Sequence, residues 1–147
     1  MSDDFFSGKW VGEYRYGNNF PGMEKKAPVR FEINMTVENG VLKGMCVDEE
    51  TRNYFDKPAF IEGTIRENAI TFHKKYPFFW DHDDNNNPRF IPKLPPRQIQ
   101  YTGRFENGIF SGEWEVSSVF TDETDEVFEY RNTGFWSMQK EGGSPQR

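Results

Sequence analysis

At 147 residues the chain has the length of one domain with a full core and falls short of two ordinary ones. Its 18 Lys plus Arg against 24 Asp plus Glu leave a net charge of -6, which opposes attraction to phosphate backbones and anionic lipid, so neither a nucleic-acid nor a membrane partner is expected. Cys46 stands alone, which excludes an intramolecular disulfide and a Cys-based zinc site; with no basic, apolar leader and no apolar run near the ~20 residues of a spanning helix, the sequence reads as soluble and cytoplasmic.

Fifteen Phe, six Tyr and four Trp make the chain aromatic-rich, whereas Leu occurs only at 42 and 94 and Ala only at 27, 59 and 69. Few strong helix formers beside many β-branched and aromatic residues predict a single all-β domain over 1–140, followed by a disordered tail, "EGGSPQR", at 141–147. The first alternating string, 9–17, sets Trp10, Gly12, Tyr14 and Tyr16 on one face. Strings 28–38 and 41–48 flank Asn39-Gly40, residues that tolerate the positive φ of a type I′ hairpin turn. A two-residue turn there sets Val37 against Leu42, Met35 against Gly44, Ile33 against Cys46 and Phe31 against Asp48. The echo "RENAI" joins strings 58–67 and 70–76; a turn at Asn68-Ala69 pairs Ile65 with Phe72, Gly63 with Lys74 and Ile61 with Tyr76 inside, and Glu62 with Lys75 outside, although Ala fits positive φ poorly. A long proline-rich loop, "YPFFWDHDDNNNPRFIPKLPP", occupies 76–96. Strings 97–106 and 109–118 flank Asn107-Gly108 and pair Phe105 with Phe110, Gly103 with Gly112, Tyr101 with Trp114 and Ile99 with Val116. The last string, 127–140, carries Phe128, Tyr130, Gly134, Trp136 and Met138 inward.

Eight antiparallel strands with one apolar face close most simply into an eight-stranded antiparallel up-and-down β-barrel, two packed sheets being the alternative. The three tight turns then share a closed bottom and the long connections form a mouth. Glycines 12, 44, 63, 103, 112 and 134 fall mid-strand on the inner face, where a missing side chain permits tight coiling or the close approach of a Trp.

The phrase "FSGKW" (6–10) resembles the G-x-W opening of lipocalins, and "YTGRF", "FSGEW" and "TGFW" (101–105, 110–114, 133–136) resemble strand phrases of avidin and streptavidin; both are calycin barrels. The resemblance implies a small-molecule binding barrel whose ligand enters at the loop-rich end, with Trp10 and, by the topology, Trp136 at the bottom. It does not extend to the avidin ligand set: where avidins place a Ser after the first strand and an Asp in the last, this chain has Gly17-Asn18-Asn19 and no Asp in 127–140. The lipocalin T-D-Y phrase is likewise replaced near the last tight turn by Glu106-Asn107-Gly108.

Nearly all of the net charge falls in the long connections at 24–26, 48–57 and 122–126, and such an acidic rim favours a neutral or cationic, partly apolar ligand. Inside the barrel, Tyr14, Tyr16, Tyr101, Asp48 and Lys74 stand out because burying polar groups is costly unless they are partnered. With Phe31, Tyr76, Trp80 and Trp114 they form the candidate ligand-binding set. Trp114 opposite Tyr101 is either a stacking wall or core, and Phe78, Phe79 and Trp80 either a lid or a cork over the mouth. Two other readings compete. Lys74 and Asp48 could be an acid-base pair of an enzyme, although Lys74 near the mouth can instead snorkel to water. Alternatively the rim, or the outer face where Val11 and Phe135 lie on strands adjacent in a closed barrel, could bind a protein, and homo-oligomerisation stays open. Cys46 reads as a small inward hydrophobe, and no catalytic residue is assigned. Asp81, Asp83, Asn85 and Asn87 alternate as in a calcium loop, but Asn86 and Pro92 stand where its Gly and Glu belong, and His82 and His73 complete no motif. No metal and no cofactor is assigned.

Overall fold

The alternating strings close on themselves. In the computed structural model, which describes residues 3–17, 26–83, 85, 87–121 and 123–142, they form β1 (Gly8–Tyr16), β2 (Val29–Glu38), β3 (Val41–Asp48), β4 (Ala59–Arg66), β5 (Ala69–Lys75), β8 (Gln98–Glu106), β9 (Ile109–Thr121) and β10 (Val127–Lys140). A short hairpin of β6 (Phe79–His82) and β7 (Pro88–Ile91) lies between β5 and β8, and one helical turn, α1 (Asp3–Phe6), precedes β1. The order β1-β10-β9-β8-β5-β4-β3-β2 is a closed antiparallel barrel, so no long strand edge is left unpaired. The side chains of 118–121, 128 and 130 lie outside the described set, and with them the inward places expected of Phe128 and Tyr130. No helix among the described residues is long and apolar enough to cross a membrane.

Two of the three tight turns hold the expected register. Asn39 and Gly40 take φ of 54° and 77°, Asn107 and Gly108 take 53° and 84°, and the pairs Ile33↔Cys46, Phe31↔Asp48 and Tyr101↔Trp114 follow. The third turn differs. It sits at Glu67-Asn68, with Glu67 at φ 56°, so that Arg66 faces Ala69, Ile65 faces Ile70, Gly63 faces Phe72 and Ile61 faces Lys74. Ala69 is thereby relieved of a left-handed conformation and pairs as an extended residue. The partners shift by two, which preserves the faces: Lys74 still points inward, while Glu62 lies across from His73 rather than Lys75.

Strict alternation along β2 buries Phe31, Ile33, Met35 and Val37 and exposes the residues between them. Each such side chain contributes about 1.5–3 kcal/mol of apolar burial. The floor is aromatic: Trp10, fully buried, lies 5.1 Å from Phe110, with Phe105 4.8 Å from Phe110 and Phe6 5.5 Å from both of those phenylalanines. The turn α1, not foreseen from the sequence, plugs this end. Phe6 O accepts the Trp10 indole proton at 2.8 Å, Asp3 Oδ2 accepts from Asn39 N at 2.8 Å, and Lys140 Nζ donates to Phe5 O at 2.6 Å.

Trp136 is not part of the floor. It sits a layer higher, edge-on to Phe72 and Tyr101, with its indole N–H shared between Thr102 O and Glu113 O. Close approach explains two glycines: a Cβ on Gly134 would lie 2.3 Å from the Trp114 indole, and one on Gly103 would lie 2.8 Å from that of Trp136. Val11 and Phe135 do lie on adjacent strands, but their partners are Gln139 and Arg15, so the two do not make one apolar patch. Glu141, at the start of the tail, is tied to Lys9 by a backbone hydrogen bond and an ion pair at 3.1 Å; 143–147 lie outside the described residues.

Candidate functional site

The tight turns gather at the plugged end, so the long connections meet at the other, and strand parity aims the candidate residues between them. Tyr14 and Tyr16 come from β1, Phe31 from β2, Asp48 from the end of β3, Lys74 from β5, Tyr101 from β8 and Trp114 from β9; Tyr76 follows β5, and Trp80 descends from β6. All nine are buried. Seven of them, Tyr14, Tyr16, Lys74, Tyr76, Trp80, Tyr101 and Trp114, line one cavity of about 40 Å3, together with His82, Arg97, Ile99 and Val116. Phe31 and Asp48 stand behind that wall, Phe31 stacked beside Tyr14 and Asp48 bonded to Tyr76.

Lys74 does not reach water. It is 2 % exposed, and its ammonium lies 4.8 to 5.4 Å from the ring centres of Tyr76, Tyr14 and Tyr101. The hairpin roofs the mouth, so the stem has no route along which to snorkel. Burial works against the charge, but Tyr101, Cys46 and Asp48 around it more than offset that and hold its pKa above the ordinary lysine value. Asp48 Oδ2 is 3.8 Å from the ammonium, a contact of charges beyond hydrogen-bond length. Its oxygens are occupied otherwise: Thr51 N and Oγ1 donate to Oδ1 at 2.8 and 3.0 Å, and Tyr76 donates to Oδ2 at 2.6 Å. Cys46 is buried and its thiol is pushed up to about 12, first by burial.

A second buried carboxylate escaped the sequence reading. Glu50 follows β3 by two residues and turns its side chain, 3 % exposed, back over the mouth. Tyr14 and Tyr16 donate to Oε1, Lys26 Nζ donates to Oε2 at 2.6 Å, and His82 Nε2 lies 3.2 Å from Oε2. Burial alone would raise its pKa; the bonds from His82, Lys26, Tyr16 and Tyr14 override burial and lower it to about 2. Burial also pushes the Tyr14, Tyr16 and Tyr76 phenols well above their ordinary value. They are protonated donors, oriented by carboxylates and unsuited to act as nucleophiles.

The 76–96 segment is not plain loop but carries its own two-stranded sheet, with Trp80 opposite Phe90. Trp80 stands edge-on to Tyr76 and stacks with Phe90, which stacks in turn on Tyr54, while Phe55 stacks on Tyr76 and contacts Phe78. Arg97 donates to Trp80 O at 2.6 Å and lies over Phe79. The carboxylates suggestive of calcium have protein partners: Asp81 makes a two-pronged pair with Arg89 at 2.9 and 2.7 Å, and Asp83 Oδ1 accepts the amides of Asn85 and Asn87. Asp84 and Asn86 lie outside the described residues. So do Glu24, Lys25 and Asp122 of the acidic rim, whose members Glu49, Glu123, Asp125 and Glu126 are exposed.

A larger hollow of about 600 Å3 lies on the outer wall across β1, β2, β3 and β10, edged by Glu13, Arg30, Glu32, Glu49 and Arg52. It reaches buried Phe31 and Asp48 at its back, but its other charges are of both signs and lie toward solvent, whereas the mouth brings buried, oriented polar groups and aromatic faces onto one point, the usual makeup of a small-molecule site.

The protein is thus an eight-stranded antiparallel barrel with a sealed floor and a polar, aromatic mouth, an architecture that leaves an interior for side chains or one small ligand. Neither a protein-family model nor a curated protein matches the chain. Among solved structures it is similar to rhizavidin, with a TM-score of 0.46 and 10% sequence identity over 92% of this chain and 87% of that one.

Proposed function

We propose that the protein is a non-enzymatic barrel that binds one small, partly aromatic or apolar molecule at its loop-rich end. The observation that carries this reading is the mouth cavity, where aromatic faces and fixed polar groups from four barrel strands, β1, β5, β8 and β9, or their extensions converge under a hairpin. Its volume of about 40 Å3 holds a few non-hydrogen atoms, whereas whole-ligand pockets run to ~300 Å3 or more, so a ligand of ordinary size displaces the β6–β7 hairpin. The hairpin then acts as a lid that closes on the bound molecule. An enzyme working through Lys74 and Asp48 is less well supported, because the cage that holds the ammonium charged denies it the role of an amine base.

Native mass spectrometry on gently purified protein, followed by denaturation, tests the reading and also counts chains. An adduct that leaves on denaturation is the expected result. A bare chain, combined with no probe from a chemically diverse small-molecule set raising the unfolding temperature, would overturn it.

A further inference from the structure

The charge of the rim pointed to a neutral or cationic ligand, yet the cavity wall carries the opposite sign. Among the described residues lining the cavity none is acidic, while Lys74 and Arg97 are cationic. The two carboxylates nearest to it stand outside the wall, each with protein donors already on its oxygens: Asp48 with Thr51 and Tyr76, Glu50 with Tyr14, Tyr16 and Lys26. Lys26 and Lys74 lie against these two carboxylates, and the wall's further cation, Arg97, feels Asp81, whose oxygens are already taken by Arg89. Rim charges act through solvent and are screened beyond ~8 Å, whereas wall charges act at contact in a low-dielectric site, so the wall decides the sign.

Resting on the binding reading above, we infer that the cavity under Trp80 receives the carboxylate group of an aromatic or apolar acid, held between Lys74 and Arg97. Volume and shape fit. About 40 Å3 accommodates a carboxylate and excludes a ring, so the apolar remainder lies outward, against Trp80 and beneath the hairpin. Of the three N–H donors of Lys74, Tyr101 engages one and Asp48 takes none at hydrogen-bond length. Arg97, half-buried, presents a planar donor fork suited to carboxylate, and its bond to Trp80 O ties the anion site to the lid. Occupation of the site would hold Arg97 in place and through it the closed hairpin.

Benzoate, benzamide and benzylamine share a ring and differ in charge, so an NMR titration of the full chain with each reads the sign directly through the Trp80 and Trp114 indole N–H signals. Benzoate is expected to shift both, with benzamide and benzylamine weaker by about tenfold or more, equivalent to ~1.4 kcal/mol. Arg97→Gln keeps a donor for Trp80 O and should lower benzoate affinity by a similar factor without changing that of benzamide, and Arg97→Lys should restore most of the loss. Benzylamine or benzamide equalling benzoate at these signals would overturn the carboxylate assignment while leaving the binding reading standing. If none of the three moves either indole, the carboxylate assignment falls, and the binding reading falls with it when the chemically diverse probe set also fails to raise the unfolding temperature.

Discussion

Glu50→Gln isolates the buried carboxylate at the mouth, and its signature is a change in how stability depends on pH. The folded protein holds this carboxyl at about 2 against an ordinary 4.5, because His82, Lys26, Tyr16 and Tyr14 all bond the ionised form. A depressed folded-state value stabilises fully above the unfolded value of 4.5, and the contribution is lost as pH falls toward 2. The gap corresponds to ~3 kcal/mol at neutral pH, of which roughly 2 kcal/mol is gone by pH 3. Gln keeps the shape and an acceptor but has no charge to lose. Urea denaturation of wild type and variant at pH 7 and pH 3 should therefore show the variant less stable at neutral pH, with the difference shrinking by about 2 kcal/mol in acid. All other carboxylates are common to the two proteins and cancel. A difference that is the same at both pH values would refute the argument, since Glu50 would then titrate alike in the folded and unfolded chains.

The Asp48–Lys74 pair predicts strong non-additivity. Asp48→Asn or Lys74→Met alone strands the partner charge in a buried site and should cost about 3–5 kcal/mol, whereas the double variant should lose markedly less than the sum in equilibrium unfolding; additive losses would mean the pair is not coupled. Gly134→Ala drives a methyl into the Trp114 indole and should lower stability by about 1–3 kcal/mol, read as a drop in thermal midpoint, with an unchanged midpoint excluding the packing described. Cys46, buried with its thiol pushed up to about 12, should resist iodoacetamide at pH 8 in the native protein and react once the chain is unfolded in urea.

The parts of the fold legible in the sequence are those governed by local rules. Asn39-Gly40 and Asn107-Gly108 fix a register because two consecutive left-handed residues leave few turn types, and period-2 alternation then assigns every side chain a face. That parity is why the candidate residues on or beside the barrel strands could be named, Trp80 coming instead from the aromatic cluster of the long loop, and why placing the third turn one residue late, a register shift of two, did no harm to Lys74. What stayed hidden is decided by tertiary contact. Trp136 has the right face, but its height depends on the stagger of a closed barrel, which one hairpin does not reveal. Glu50 in "DEET" looks like any solvated acid after a strand; only the return of the 49–58 connection over Tyr14 and Tyr16 makes it a buried anion. The β6–β7 strands are four residues each, the second opening on Pro88 and ending before Pro92, too short for alternation to register, and they are fixed by Trp80–Phe90 stacking and the Asp81–Arg89 pair.

The hairpin leaves the barrel wall and rejoins it at a single rung. Lys75 and Gln98 are Cα partners, and the β5–β8 ladder continues below them without interruption. Strands so placed can be joined by a two-residue turn, so the barrel's hydrogen bonds neither begin nor end in 76–97. That segment is therefore an exchangeable cassette. It brings Tyr76, Trp80, His82 and Arg97 to the cavity as one unit, while the floor, the registers and Lys74 belong to the frame. Insertions, deletions or replacement there would rewrite what the mouth admits while the barrel's strand ladder stays whole, the cost to stability being confined to the Tyr76–Asp48 bond and the roof over Lys74.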